Sequence, residues 1–166
     1  HPNSYHYFMK DILFDHININ MENTFVPDGK AENLEDYCKK YDRLIEEKGG
    51  IDFQILGIGK NGHIAFNEPD EELNVGTSVV NLTESTIEAN SRFFDSIDQV
   101  PKTAITMGIG SIIKAKNIIL LASGKNKAKV IRQLLKAEKI TTQLPASMLL
   151  LHPNVTIIVD EEAYKG

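Results

Sequence analysis

The stretch from Ile51 to Leu56, with the loop that follows it, Gly57-Ile58-Gly59-Lys60-Asn61-Gly62-His63, constrains this chain more than any other. A short apolar run bounded by turn residues reads as a buried strand. Three glycines within six positions then force the backbone into a tight turn that other groups can approach closely. In an open α/β sheet, ligands bind beyond the carboxyl ends of strands, so Asn61, His63, Asn67 and Glu68 stand at the usual place for chemistry. A solvated loop with one stray histidine would have the same spacing, and spacing alone leaves both readings open.

The flanking sequence supplies the other layers. Asn3 or Ser4 caps a helix running to about Asp15, with Tyr5, Phe8, Met9, Ile12 and Leu13 on one face that must find a core. Ile17 to Gly29 lacks helical periodicity and ends in the turn signature Pro27-Asp28-Gly29. Asn33 caps the clearest helix, whose stripe of Leu34, Tyr37, Cys38, Tyr41, Leu44 and Ile45 stops at Gly49-Gly50. Ser78 to Leu82 reads as a short strand, and Thr83 or Ser85 opens a helix through Phe94 that carries Arg92. Thr103 to Met107 is a strand feeding Gly108-Ile109-Gly110 and a short helix to about Ala115. Asn117 to Ala122 is a buried strand, followed by Ser123-Gly124-Lys125-Asn126-Lys127 and a helix carrying Ala128, Ile131, Leu134 and Leu135. Pro145 opens a last apolar helix through Leu151, and Val155 to Val159 is the final strand. Strands alternating with helices predict an α/β fold, a mostly parallel sheet with helices on both faces. Without an internal repeat or linker, residues 1–166 read as a single domain.

Composition narrows the class of partner. The net charge is −5 and no basic stripe stands out, which argues against nucleic acid; an anionic ligand would need local cations. The Gly124 turn offers one such place, because backbone N–H groups and a helix dipole favour an anion there and Lys125 or Lys127 adds a charge. The lone Cys38 lies on an apolar stripe, which favours packing over reactivity, and no CxxC pair suggests zinc. No apolar run approaches the ~20 residues of a membrane-spanning helix and no signal-peptide pattern opens the chain, so the expectation is a soluble, cytoplasmic protein without a membrane partner. The chain starts His1-Pro2 and enters a helix at once, which suggests a piece of something longer.

The string Gly57-x-Gly59-x-Asn61-Gly62-His63-Ile64-Ala65-Phe66-Asn67-Glu68-Pro69 resembles the signature of the glucosamine-6-phosphate deaminases. Further matches are His1-Pro2-x-Ser4-Tyr5, Ala89-Asn90-Ser91-Arg92-Phe93-Phe94, Val100-Pro101-Lys102 and Leu151-His152-Pro153. The related 6-phosphogluconolactonases share a Gly-His turn but do not continue as Phe-Asn-Glu-Pro. The resemblance implies a Rossmann-like fold and a reaction, glucosamine 6-phosphate plus water to fructose 6-phosphate plus ammonia, with no metal or organic cofactor. His63 matches the ring-opening histidine, Glu68 the carboxylate that holds and tunes it, and Asn61 a position that is aspartate in some members. An amide there orients the imidazole without adding charge. Arg92 and Lys127 match the cations that hold the sugar's phosphate, and Gly59 and Gly62 belong to the loop on which the substrate rests. Residues Leu82 to Thr103 match a mobile lid.

The family's proton-transfer aspartate lies in an Asp-Glu-Tyr segment upstream of the His-Pro-x-Ser-Tyr match, and its phosphate loop lies further upstream. Neither is among these 166 residues. The expectation is therefore the C-terminal two-thirds of a deaminase, truncated at its N-terminus and lacking the first strands, that does not isomerise the substrate alone. Where activated members bind an N-acetylamino-sugar phosphate, this chain has Glu71, Glu72, Ser78 and Val80, and the carboxylates would repel that ligand. Hexamer formation is in doubt with it, leaving monomer or homo-oligomer open. Two other readings remain: a sugar-phosphate-sensing module, which needs Arg92 and Lys127 but not His63, Asn61 and Glu68, and a lactonase acting on a phosphorylated sugar acid. His152 before Pro153 reads as structural, His1, His6 and His16 as surface or packing residues, and Tyr5 is given no role.

Overall fold

The computed structural model describes residues 2–166, so the His1 expectations lie outside the described residues. Where the sequence suggests one domain, contacts gather into two compact units, one of residues 1–32 and 81–104 and one of residues 33–80 and 105–166.

The second unit holds the parallel sheet. Strands β1 (Phe53–Gly57), β4 (Asn117–Ala122) and β5 (Val155–Val159) lie in the order β1-β4-β5, and both pairings are parallel. Leu56 stands opposite Leu120, which stands opposite Ile157, and this row faces the core. Helices α4 (Ile109–Ile113) and α5 (Ala128–Leu135) and a 3-10 helix (Pro145–Leu151) add Ile112, Val130, Ile131, Leu134, Ala146 and Leu149 to the same cluster. The class is the expected one, a parallel sheet flanked by helices. Cover is unequal, however: the alternate strand positions Phe53, Ile55, Leu121 and Ile158 are exposed, while Leu56, Ile118 and Leu120 join the buried cluster.

Helix α2 (Leu34–Glu47) starts where the sequence indicates, with the Asn33 side chain accepting from the Asp36 N–H. Cys38 is buried on its inner stripe, and burial together with the nearby Asp42 carboxylate pushes its thiol up, consistent with packing. Asp42 joins α2 to its neighbours, accepting from the Thr77 N–H (2.7 Å), the Thr77 hydroxyl (2.5 Å) and the Ser111 hydroxyl (3.0 Å). At the N-terminus of α4, a β-carbon on Gly108 would overlap the carbonyls of Asn74, Val75 and Gly76, so only glycine lets this segment lie against the helix. A helix the sequence did not announce, α6 (Glu161–Lys165), is capped by Asp160.

The first unit contains α1 (Tyr5–Ile12) and α3 (Glu84–Asn90), capped by Ser4 and Thr83 as two of the expected candidates. Helix α1 ends before Asp15 because Leu13 leaves helical geometry and a separate 3-10 turn, Phe14–His16, follows. Its apolar face does not find a core: none of its residues is buried, and Tyr5, Phe8 and Ile12 are all exposed. The α3 helix likewise stops at Asn90, and Ser91–Phe93 continues as a 3-10 turn carrying Arg92. The short strands β2 (Ser78–Asn81) and β3 (Thr103–Thr106) pair with each other in a separate sheet, and the chain passes between the units within them. No helix among the described residues is long and apolar enough to cross a membrane.

Candidate active site

The loop after β1 folds back on itself at its glycines. The Gly62 N–H donates to the Gly59 carbonyl (3.0 Å) and the Gly59 N–H to the His63 carbonyl (2.9 Å). Gly62 has φ +89°, a left-handed conformation natural to glycine, and a β-carbon on it would collide with Leu144. A β-carbon on Gly59 would overlap the His63 ring, so the imidazole lies directly over the Gly59 α-carbon. This placement explains a glycine where the signature carries one.

The imidazole is paired on its inner edge. His63 Nδ1 lies 3.0 Å from Glu68 Oε2, with the two side chains 24% and 10% exposed, so the pair is shielded but reachable. An ionised carboxylate only accepts, which places the proton on Nδ1 and leaves the Nε2 lone pair available. Asn61 does not orient the imidazole as the sequence suggests. Its Nδ2 donates to the same Glu68 Oε2 (2.6 Å), and its Oδ1 accepts from the His63 backbone N–H (3.2 Å). The amide thus steadies the carboxylate and the backbone, and reaches the ring only through Glu68.

Asn67, grouped with these residues by the sequence, is part of the framework instead. It is buried and donates to the carbonyls of Ile64 (3.0 Å) and Met107 (2.9 Å). Thr106 Oγ1 accepts from the Phe66 N–H (3.0 Å), a brace with no signal in the sequence because it comes from a distant strand. Ala65 adopts φ +52°, in the left-handed region, within the short antiparallel bridge that pairs Ile64 with Asn67. The Ala146 N–H donates to the Gly62 carbonyl (2.9 Å), fixing the turn from the other side.

Lys127 joins the same loop by donating to the Ile58 carbonyl at 2.6 Å, one residue before the glycine beneath the ring. Burial pushes its ammonium below the ordinary lysine range, and the Lys60 ammonium pushes it the same way. The Gly124 turn is not an open anion site: its N–H donates to the Asp160 carboxylate (2.9 and 3.1 Å), an internal anion. Lys127 is therefore the cation directed at the β1 loop. Arg92 belongs to the first unit, its guanidinium 4.7 Å from the Phe93 ring centroid. His152 is structural, as expected: Nδ1 accepts from the Asn154 N–H (3.1 Å), so Nε2 donates to the Ala115 carbonyl (2.7 Å). Among the described residues, no three His, Cys, Asp or Glu side chains form a group suited to a metal ion.

Residues 1–158 match the family described as glucosamine-6-phosphate isomerases/6-phosphogluconolactonase. The chain belongs to this family. A member from Thermoanaerobacter pseudethanolicus, named glucosamine-6-phosphate deaminase, is 61% identical over 163 residues, covering 98% of this chain and 64% of the relative. A Clostridium perfringens member of the same name is 59% identical over 165 residues, covering 99% of this chain and 68% of its own. The solved structure of a monomeric glucosamine-6-phosphate deaminase matches with a TM-score of 0.94 at 49% identity, over 98% of this chain and 67% of that one. The 6-phosphogluconolactonase of Thermotoga maritima, with a TM-score of 0.69 at 21% identity over 96% of this chain and 66% of its own, shares the fold alone. The chain thus spans about two-thirds of the length of these family members.

Proposed function

We propose that the protein containing this chain converts glucosamine 6-phosphate and water to fructose 6-phosphate and ammonia. The observation that carries this reading is the His63, Glu68 and Asn61 group over Gly59, in a chain 61% identical to a protein named for that reaction. A cyclic aminosugar must open before a proton moves between C2 and C1, and opening needs a group that exchanges a proton near neutral pH. With Nδ1 bound to Glu68, Nε2 of His63 is the atom that carries the ring-oxygen proton. Glu68 fixes the tautomer and the orientation of the ring. Lys127 and Arg92 are the cations we assign to the phosphate. Lys127 is the better supported of the two, since it already reaches the loop under His63. A sensing module would need the cations but not a paired imidazole, and the paired imidazole favours an enzyme.

The test offers the whole protein glucosamine 6-phosphate and a phosphorylated sugar lactone in parallel. Ammonia and fructose 6-phosphate are expected from the first, and His63→Asn is expected to lower kcat about a hundredfold or more with the fold unchanged. Turnover of the lactone alone would overturn the assignment. The proton-transfer aspartate implied by the resemblance is not among the 166 residues, so we expect no ammonia from them by themselves. Robust release would show that another group is the base.

A further inference from the structure

The chain is acidic overall, yet one groove of about 610 Å³ reverses that sign. Lys60 on the β1 loop, Lys129 on α5, Lys136 at the C-cap of that helix and Lys139 beyond it line the groove together with a single carboxylate, Glu138. Among the described residues none of the four lysines has an ion-pair partner. Four like charges with only one counter-charge among them repel one another, and a bound anion relieves that cost. The lysine nearest the active site already shows it, since Lys60 is one of the two causes that lower Lys127.

We propose that this groove is a second anion site, which takes a small molecule carrying at least two phosphate-like charges and reports its occupancy to His63 through Asn61. Each exposed ammonium contributes little alone, so a singly charged ion gains too little, whereas a ligand spanning several lysines adds their contributions. The volume lies within the range of small-molecule pockets and exceeds the needs of one phosphate group. Asn61 lines the groove and also donates to Glu68 Oε2, the oxygen paired with His63 Nδ1. A ligand that draws on the Asn61 amide or displaces its loop therefore changes the partner of the imidazole. The site rests on the lysines and the groove, and stands whichever reaction His63 performs.

The probe is inorganic pyrophosphate, titrated into the 166-residue chain by calorimetry and by amide NMR, at low ionic strength and with added salt. Binding is expected to weaken with salt and to shift the amides of Lys60, Asn61 and His63. It should fall about tenfold or more in the triple variant K129Q/K136Q/K139Q and persist in K127Q. These exposed lysines are not core residues, and an unchanged heat-unfolding midpoint verifies that the triple variant folds. Binding unaffected by the triple variant, binding lost in K127Q, or an unmoved His63 amide would each overturn the proposal. Tighter binding of a short RNA on the same footprint would also overturn it, in favour of a macromolecular partner.

Discussion

At the scale of single residues, the site depends on one carboxylate oxygen shared by two donors. Replacing Asn61 by aspartate removes the amide donor and sets a second negative charge beside Glu68. Both changes favour the protonated imidazole, so N61D is expected to move the His63 titration upward when followed by imidazole NMR. An unmoved titration would remove Asn61 from the tuning of the ring. Lys127 provides a second test with its own sign. Its folded-state value lies below that of the unfolded chain, so the unfolded chain binds more protons just below the ordinary lysine range. Stability contributed through this group therefore rises with pH across that window. Lys60→Met removes the smaller of the two causes, and should raise the Lys127 titration part of the way while burial keeps it depressed. Full return to the ordinary value would mean that burial is not the leading cause. The pairing of His63 with Glu68 was implied by the family resemblance, and a five-residue separation in a turning loop only permitted it. That Asn61 turns to Glu68 is settled within the loop itself, whereas that Asn67 is spent on the Met107 carbonyl depended on a residue forty positions away, just past β3.

Among the elements, periodicity served where it reported a local need. Helix α2 declares both its cap and its buried stripe, and the three strands of the parallel sheet follow from their apolar runs. It failed where the answer depends on a partner: the face of α1 is apolar yet exposed, and β2 and β3 pair with each other outside the main sheet. Helix α6 spans only Glu161–Lys165, too short to show a period, and its one signal was the cap Asp160. The basic face of α5 could have been read from Lys129, Gln133 and Lys136 at helical spacing, but Lys60 reaches the same groove only through the fold. The contact that most clearly ties elements together is also invisible in sequence. Asp42 accepts three hydrogen bonds from Thr77 and Ser111, joining α2 to the segment before β2 and to α4. Asp42→Asn replaces a carboxylate oxygen by a donor facing donors. The expected cost is about 1–3 kcal/mol in urea unfolding, against near-neutral behaviour if the carboxylate were merely a solvated surface group.

For the molecule as a whole, the α/β class was legible because alternating strands and helices leave few other ways to bury so much apolar surface. What the alternation did not reveal is how unevenly the sheet is covered. Parallel strands are normally apolar on both faces, and these are, but Leu120 is 0% exposed while the next residue, Leu121, is 44% exposed. The two leucines sit side by side in β4 with the same chemistry and opposite orientation. Leu120→Ala opens a cavity between Leu56 and Ile157 and is expected to cost about 2–5 kcal/mol. Leu121→Ala removes methyl groups that already meet water, and is expected to change stability by only about 0.5 kcal/mol. The difference isolates burial, because helix and strand preferences, strand position and side-chain volume are held constant between neighbours. Denaturant unfolding of both variants of the 166-residue chain measures it directly. Equal losses would mean that the face bearing Phe53, Ile55, Leu121 and Ile158 is packed in solution, with these apolar side chains contributing to the core instead of standing outside it.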